Sequence, residues 1–348
     1  MSIAAKLVLK ALETGIIPEK FTRAWVRRLC GLALERASLG DVEARHAVFR
    51  QIMKDLKTGT NLRCSPNVEA EGGEMGPEFF ELFLGKRLNA GCCYFPTGAE
   101  DLEEAEDTML WMSADRARVR DGMKILEIGC GWGAMTFWLV EHFPQVHITA
   151  VTESTSRSIY LQKKANELGL TNIKFLASEF GDLRFSEEFD RIICLERLDL
   201  VASSPEWENK IWSWLKPDGK FFLQHQVHAN IAYYNESVGL EDFPGNSVVN
   251  QRLVVSAEML MLFQRTMHLE DYWKISGEQY RNTTERWLRR YYFNRQAILP
   301  LFEKVYGKKM AWTWLQRWRM FLIASAEQAG YNRGQDWILG QYLLSRKG

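Results

Sequence analysis

Apolar positions recur at helical spacing through residues 2–57, with charges on the opposite face and Pro18 and Gly40 as punctuation, so this stretch is expected to be helical throughout. A segment rich in Gly, Pro, Asn and Thr (58–80) reads as a loop, and "LEEAEDTMLWMSADRARV" (102–119) as an amphipathic helix stopped by Asp121–Gly122. The pattern then changes. Short apolar runs "MKILEIG", "VHITAVT", "IKFLASE", "FDRIICLE" and "FFLQHQV" alternate with helical stretches "AMTFWLVEHF", "SRSIYLQKKANELGL" and "PEWENKIWSWL", and "KPDGK" forms the turn into the last of these runs. Such alternation predicts an α/β doubly wound, Rossmann-like parallel sheet. Residues 229–348 mix aromatic helices with strand-like returns at "HLEDYWKIS" and "YLLSRK". The expected organisation is an N-terminal helical cap and substrate lid (1–100), a cofactor-binding core (101–228), and a substrate-cap insertion with the last strands of the core (229–348).

The loop after the first strand, Ile125–Gly133 ("ILEIGCGWG"), carries the candidate chemistry. Gly129, Gly131 and Ala134 satisfy the dinucleotide pattern G-x-G-x-x-G/A, while Gly129, Gly131 and Gly133 satisfy the G-x-G-x-G of S-adenosylmethionine enzymes. Both need small residues where backbone meets ligand between a strand and a helix. Glu127 separates the two. A carboxylate entering the turn suits the cationic amino-acid end of S-adenosylmethionine and would oppose a pyrophosphate. Thr152, closing the second strand, is placed near the ribose, and Glu179 with Phe180, closing the third, at the adenine.

Composition narrows the function classes. The 348 residues carry 44 Lys+Arg and 44 Asp+Glu, so no net field draws the protein to nucleic acid or an anionic membrane. No apolar run reaches the ~18 residues of a spanning helix, and Lys6, Lys10 and Glu13 interrupt any signal-peptide core. Six scattered cysteines offer no C-x-x-C or zinc spacing, which points to a reducing, cytoplasmic setting without a metal. Thirteen Trp, 11 Tyr and 19 Phe, concentrated outside the glycine-loop region, suit a Trp-rich core or an aromatic-walled pocket.

The glycine loop, "CCYF" followed by "LEEAE", "FDRI" and "YRNTTERW" resemble the cyclopropane-fatty-acid synthase superfamily of methyltransferases. The runs "LETGIIP…VRRL", "GKRLNAGCCYF" and "GYNRGQDWILGQYLL" resemble its coclaurine N-methyltransferase branch, which methylates alkaloid and phenylalkylamine nitrogens. The resemblance covers nearly the whole chain. It implies S-adenosylmethionine as cofactor and a small, aromatic or alkaloid-like amine as substrate. It also points to Glu74 and Glu106 as acids facing that amine, and to Tyr280 and Cys92 at positions that lie near bicarbonate in the lipid enzymes. In "CLERLDLV" (194–201) Asp199 falls on the family's acid, but Leu200 stands where the family has histidine, and Arg157 stands at a ribose position that is usually glutamine. Cyclopropanation passes through a carbocation that needs a positioned base, whereas methyl transfer to an amine draws most of its rate from proximity and alignment. The missing histidine therefore favours N-methylation. His225 and His228 fall on opposite faces of their strand, so at most one faces the site. The rivals are a lipid methyltransferase or cyclopropane synthase, and a cofactor-binding protein whose catalysis has lapsed. A homodimer is compatible with the sequence; nucleic-acid and stable membrane partners are not expected.

Overall fold

The computed structural model describes residues 10–38, 41–58, 75–198, 207–234, 253–262 and 264–347. Two helices, α1 (Glu19–Ser38) and α2 (Val42–Thr58), precede the short α3 (Pro77–Phe80) and then α4 (Leu102–Arg116). β1 (Lys124–Ile128), α5 (Ala134–His142), β2 (His147–Thr152), α6 (Thr155–Glu167), β3 (Ile173–Ala177) and β4 (Phe189–Leu195) follow in alternation. α7 (Trp207–Trp214) leads directly into β5 (Leu215–His228), and β6 (Tyr233–Tyr234) pairs with β7 (Leu253–Val254) in a small separate ribbon. β8 (Met267–Ile275), α8 (Gly277–Phe293), α9 (Arg295–Tyr306), α10 (Lys308–Ala329) and β9 (Trp337–Arg346) complete the chain.

Seven strands form one sheet in the order β3-β2-β1-β4-β5-β9-β8. The first five are parallel, as the alternating pattern predicts, because each is reached through a crossover. The sheet as a whole is mixed, because the C-terminal returns add antiparallel strands: β9 runs antiparallel to both β5 and β8. Strand β9 is longer than the "YLLSRK" return suggests and is buried over its first eight residues, as expected of a strand covered on both faces. The "KPDGK" segment, read as a turn, belongs to β5 as a bulge: pairing with β4 jumps from Phe189–Leu215 to Arg191–Lys220.

The chain leaves β1 toward β2 and β3 on one side and returns to lay β4 on the other. The carboxyl ends of β1 and β4 therefore flank a topological switch point, where open α/β sheets bind their ligands. Helix α4 starts in a capping box, with Glu104 N–H donating to Asp101 Oδ1 at 2.8 Å and Asp101 N–H to Glu104 Oε2 at 3.1 Å. Arg23 on α1 ties the N-terminal helices to the C-terminal ones through Glu285 on α8 (2.6 Å) and Glu327 on α10 (2.7 Å). A second apolar core lies outside the sheet: Phe79, Phe80 and Phe83 pack with Trp287, Tyr291, Trp314 and Trp318.

Candidate active site

The glycine loop leaves β1 through three left-handed residues, Gly129 (φ 78°), Gly131 (φ 56°) and Gly133 (φ 82°), a backbone that L side chains rarely adopt. A Cβ on Gly133 would approach the Phe137 ring to 2.8 Å, so that glycine is required by helix packing. A Cβ on Gly131 would meet nothing within 4 Å, so that position faces open space. Glu127 is 3% exposed; the Thr136 hydroxyl donates to it, and no cation pairs with it among the described residues. Burial pushes its carboxyl up to about 8. A buried acid beside an open glycine cradle fits the ammonium of the amino-acid end of S-adenosylmethionine.

Further round the rim, Thr152 is buried at the end of β2, its hydroxyl accepting from Ser154 N–H at 3.3 Å. Glu179 is exposed just after β3, while the Phe180 ring is buried edge-on to Trp214 in the core. Arg157 lays its guanidinium 4.5 Å from the centre of the Trp132 ring, in the glycine loop itself.

The acid that the geometry brings forward is Glu196, which the sequence reading passed over. It follows β4 with φ 58°, a strained conformation for a non-glycine residue and one that clusters at functional sites. Cys92 N–H donates to Glu196 Oε1 at 2.7 Å and Gln224 Nε2 donates to the same oxygen at 3.2 Å, with the Tyr280 phenol beside the carboxyl. Burial under this loop pushes Glu196 up to about 7, although part of its side chain stays accessible. Tyr280 is pushed well above the usual phenol range by burial and by Glu196, so it stays a neutral donor. Cys92 and Cys93 are likewise held as neutral thiols by burial, which suits walls rather than nucleophiles. The Gly91–Phe95 loop is stitched to α8 by Cys93 N–H to Thr283 Oγ1 (3.0 Å) and Phe95 N–H to Gln279 Oε1 (2.7 Å). Gly91 is needed here, because a Cβ would stand 2.7 Å from Glu196 Oε1.

Glu106 lies elsewhere in this arrangement. It is fully buried on α4, and its two oxygens accept Arg87 N–H and Asn89 N–H, both at 3.1 Å. Gly85 leaves it room, and burial pushes it up to about 7. This geometry makes Glu106 the anchor of the 85–89 loop. Glu74, Asp199 and Leu200 lie outside the described residues. His228 is buried, with Nδ1 accepting from Asn230 N–H (3.1 Å) and Ile231 N–H (3.0 Å), a turn-holding role that requires a neutral ring. His225 is partly buried on β5.

Three carboxyls raised by burial set a pH dependence. Glu106, Glu127 and Glu196 keep protons in the folded chain that the unfolded chain loses above about 4.5. Stability from these groups is present below that value and is lost as pH rises through about 7 to 8. His228, held below 6.5 by burial, works in the opposite direction. We expect the melting temperature of the cofactor-free protein to fall from pH 5 to pH 8, and S-adenosylmethionine to flatten the slope by pairing Glu127. A melting temperature rising over that range contradicts the assignment.

The chain is similar to known proteins over most or all of its length. (S)-coclaurine N-methyltransferase of Papaver somniferum is 29% identical over 99% of this chain and 99% of its own. The Escherichia coli (strain K12) cyclopropane-fatty-acyl-phospholipid synthase is 25% identical over 80% of this chain and 68% of its own. A crystal structure of coclaurine N-methyltransferase bound to N-methylheliamine and SAH superposes with a TM-score of 0.90, at 27% identity, over 99% of this chain and 100% of that one. Residues 67–332 match the family described as mycolic acid cyclopropane synthetase, so the chain belongs to that family and is an S-adenosylmethionine-dependent methyltransferase.

Proposed function

We propose that the protein transfers a methyl group from S-adenosylmethionine to the nitrogen of a small aromatic, alkaloid-like amine, with Glu196 as the acid beside the reacting nitrogen. The observation that carries the reading is the placement of Glu196 at the end of β4, across the switch point from Glu127 and the glycine loop. The cofactor supplies an electrophilic methyl on a sulfonium. Glu127 takes its ammonium, Gly129, Gly131 and Gly133 line its amino-acid end, Thr152 stands by the ribose, and Glu179 reaches the adenine. With its ring in the core, Phe180 contributes there through its backbone.

An alkaloid amine is a cation at neutral pH, and its lone pair must be freed before attack. A carboxyl near pH 7 is matched to that proton transfer. Tyr280 stands beside Glu196 from α8, and its ring meets Trp287 edge-on (6.4 Å), the near end of an aromatic cluster that reaches Phe80 and Trp132 of the glycine loop. Aromatic faces beside an acid favour a flat cationic substrate, with cation–π attraction worth ~0.5–2 kcal/mol. Glu106 is assigned to the loop rather than to the amine; Asp199 is the second acid of the site, and Glu74 belongs to its lid. The similarity over the full length to an alkaloid N-methyltransferase, against two-thirds of the length for the lipid synthase, supports amine over alkene. So does Leu200 at the histidine position.

No helix among the described residues is long and apolar enough to cross a membrane. The free thiols of the described cysteines support a cytoplasmic setting. A homodimer without nucleic-acid or membrane partners is part of the same reading, and light scattering checks it. The function is tested by release of S-adenosylhomocysteine with a panel of phenylalkylamines, isoquinolines and unsaturated phospholipid vesicles. Turnover with the amines alone is expected; turnover with vesicles alone overturns the reading, and binding without turnover on any of them supports lapsed catalysis.

A further inference from the structure

Two glutamines are buried side by side on neighbouring strands of the sheet. Gln224 on β5 and Gln341 on β9 are directly opposed in the antiparallel register and are 2% and 0% exposed. Buried amides persist only when their donors and acceptors are matched. Here they form one directed row. The Arg116 guanidinium, on α4, donates to Gln341 Oε1. Gln341 Nε2 donates to Gln224 Oε1 at 2.5 Å, and Gln224 Nε2 donates to Glu196 Oε1 at 3.2 Å. The Ser113 hydroxyl also reaches Gln224 Oε1, at 3.4 Å.

The direction of this row is set at its far end. A guanidinium has donors only, so the atom of Gln341 that faces Arg116 must be the carbonyl oxygen. Gln341 must then turn its NH2 to Gln224, and Gln224 must turn its NH2 to Glu196. Reversing either amide would set carbonyl against carbonyl, or a carbonyl against the Glu196 carboxylate. Arg116 is itself held, 5.0 Å over the ring of Trp273, which is the β8 partner of Gln341 in the register.

We propose that Arg116 and Gln341 are positioning residues for methyl transfer: they fix the Gln224 amide so that an N–H, and never a carbonyl, faces Glu196. This rests on the reading of Glu196 as the acid beside the amine. Among the described residues, the other groups facing Glu196 are the Tyr280 hydroxyl from α8 and the Cys92 and Cys93 thiols from the loop, all neutral, while neighbouring Arg197 is paired with Glu153 at 2.8 Å. The row is thus the route by which a cation on α4 favours the ionised carboxylate, and an ionised Glu196 is the form that accepts a proton.

The test is the pH profile of kcat in four variants, with S-adenosylmethionine affinity measured alongside. Arg116→Met and Gln341→Leu free the Gln224 amide to turn and should move the acidic limb up by about one to two pH units, with rates converging at high pH. Gln341→Glu keeps the size but offers only acceptors, so it draws the Gln224 NH2 away from Glu196 and should give the largest shift. Arg116→Lys is still donor-only and should keep the parent limb. A uniform loss of rate at every pH, or Arg116→Lys behaving like Arg116→Met, overturns the proposal, since both are what simple packing would give. The carboxyl stretching band of Glu196, identified by its loss in Glu196→Gln, reads the same ionisation without turnover. If the parent methylates no amine, the functional reading fails while the relay still stands on an upward shift of that band's titration in Gln341→Glu. An unmoved band overturns the relay.

Discussion

Glu196→Gln is expected to lower turnover on an amine by roughly 10²–10⁴, the usual contribution of a positioned base. The substitution keeps the size of the side chain, and its amide oxygen still accepts Cys92 N–H. Basicity and charge are what it removes. The loop and α8 should stay in place, and S-adenosylmethionine affinity should hold, because the glycine cradle and Glu127 belong to a different strand end. The deficit should shrink as pH rises and free amine needs no base. A matching Glu106→Gln variant separates the two acids. Glu106 accepts two backbone N–H groups, so its amide form should loosen the 85–89 loop and lower stability more than it lowers kcat. Equal rates for Glu196→Gln and the parent across the pH range would remove Glu196 from the mechanism.

Gly131→Val is expected to weaken S-adenosylmethionine binding by about a hundredfold or more, equivalent to about 2.7 kcal/mol. Two effects act together. The position has φ 56°, where a β-branched residue is strained, and the added carbons enter the open space assigned above to the cofactor. Gly122→Val is the control. It too has positive φ (78°) and open space around its Cβ, but it lies in the turn before β1, so it carries the strain without touching the cradle. Calorimetry should show lost affinity for the first and parental affinity for the second. Equal affinities in both would mean that the loop does not hold the cofactor.

Much of this architecture is legible in the chain. Alternation of short apolar runs with amphipathic stretches fixes the five parallel strands, and three glycines with Glu127 mark the cradle. What the pattern does not show is set by long-range contact. β9 runs antiparallel because of where α8–α10 deliver it, and no local signal in "WILGQYLLSR" states its direction. Glu106 falls on the inner face of an amphipathic helix, as an acid turned to a substrate would, yet its burial serves a loop 17 to 19 residues away in sequence. Glu196 ends an apolar strand run three positions before the expected Asp199, with no local feature that sets it apart. Its role rests on Cys92, Gln224 and Tyr280, which are 104, 28 and 84 residues distant and meet only in the fold. One signal for it was present: glutamine inside "FFLQHQV" and "ILGQYLL", polar positions that an apolar strand tolerates only with partners.

The most direct measurement of the central claim follows the methyl group itself. The protein is given S-adenosylmethionine carrying a 13C-labelled methyl, together with a phenylalkylamine or isoquinoline and vesicles of unsaturated phospholipid in one vessel. Carbon NMR of the extracted products distinguishes a methyl on nitrogen from a methylene in a cyclopropane ring. The account predicts label on the amine nitrogen and none in the lipid, whereas a labelled ring methylene with the amine untouched would contradict it.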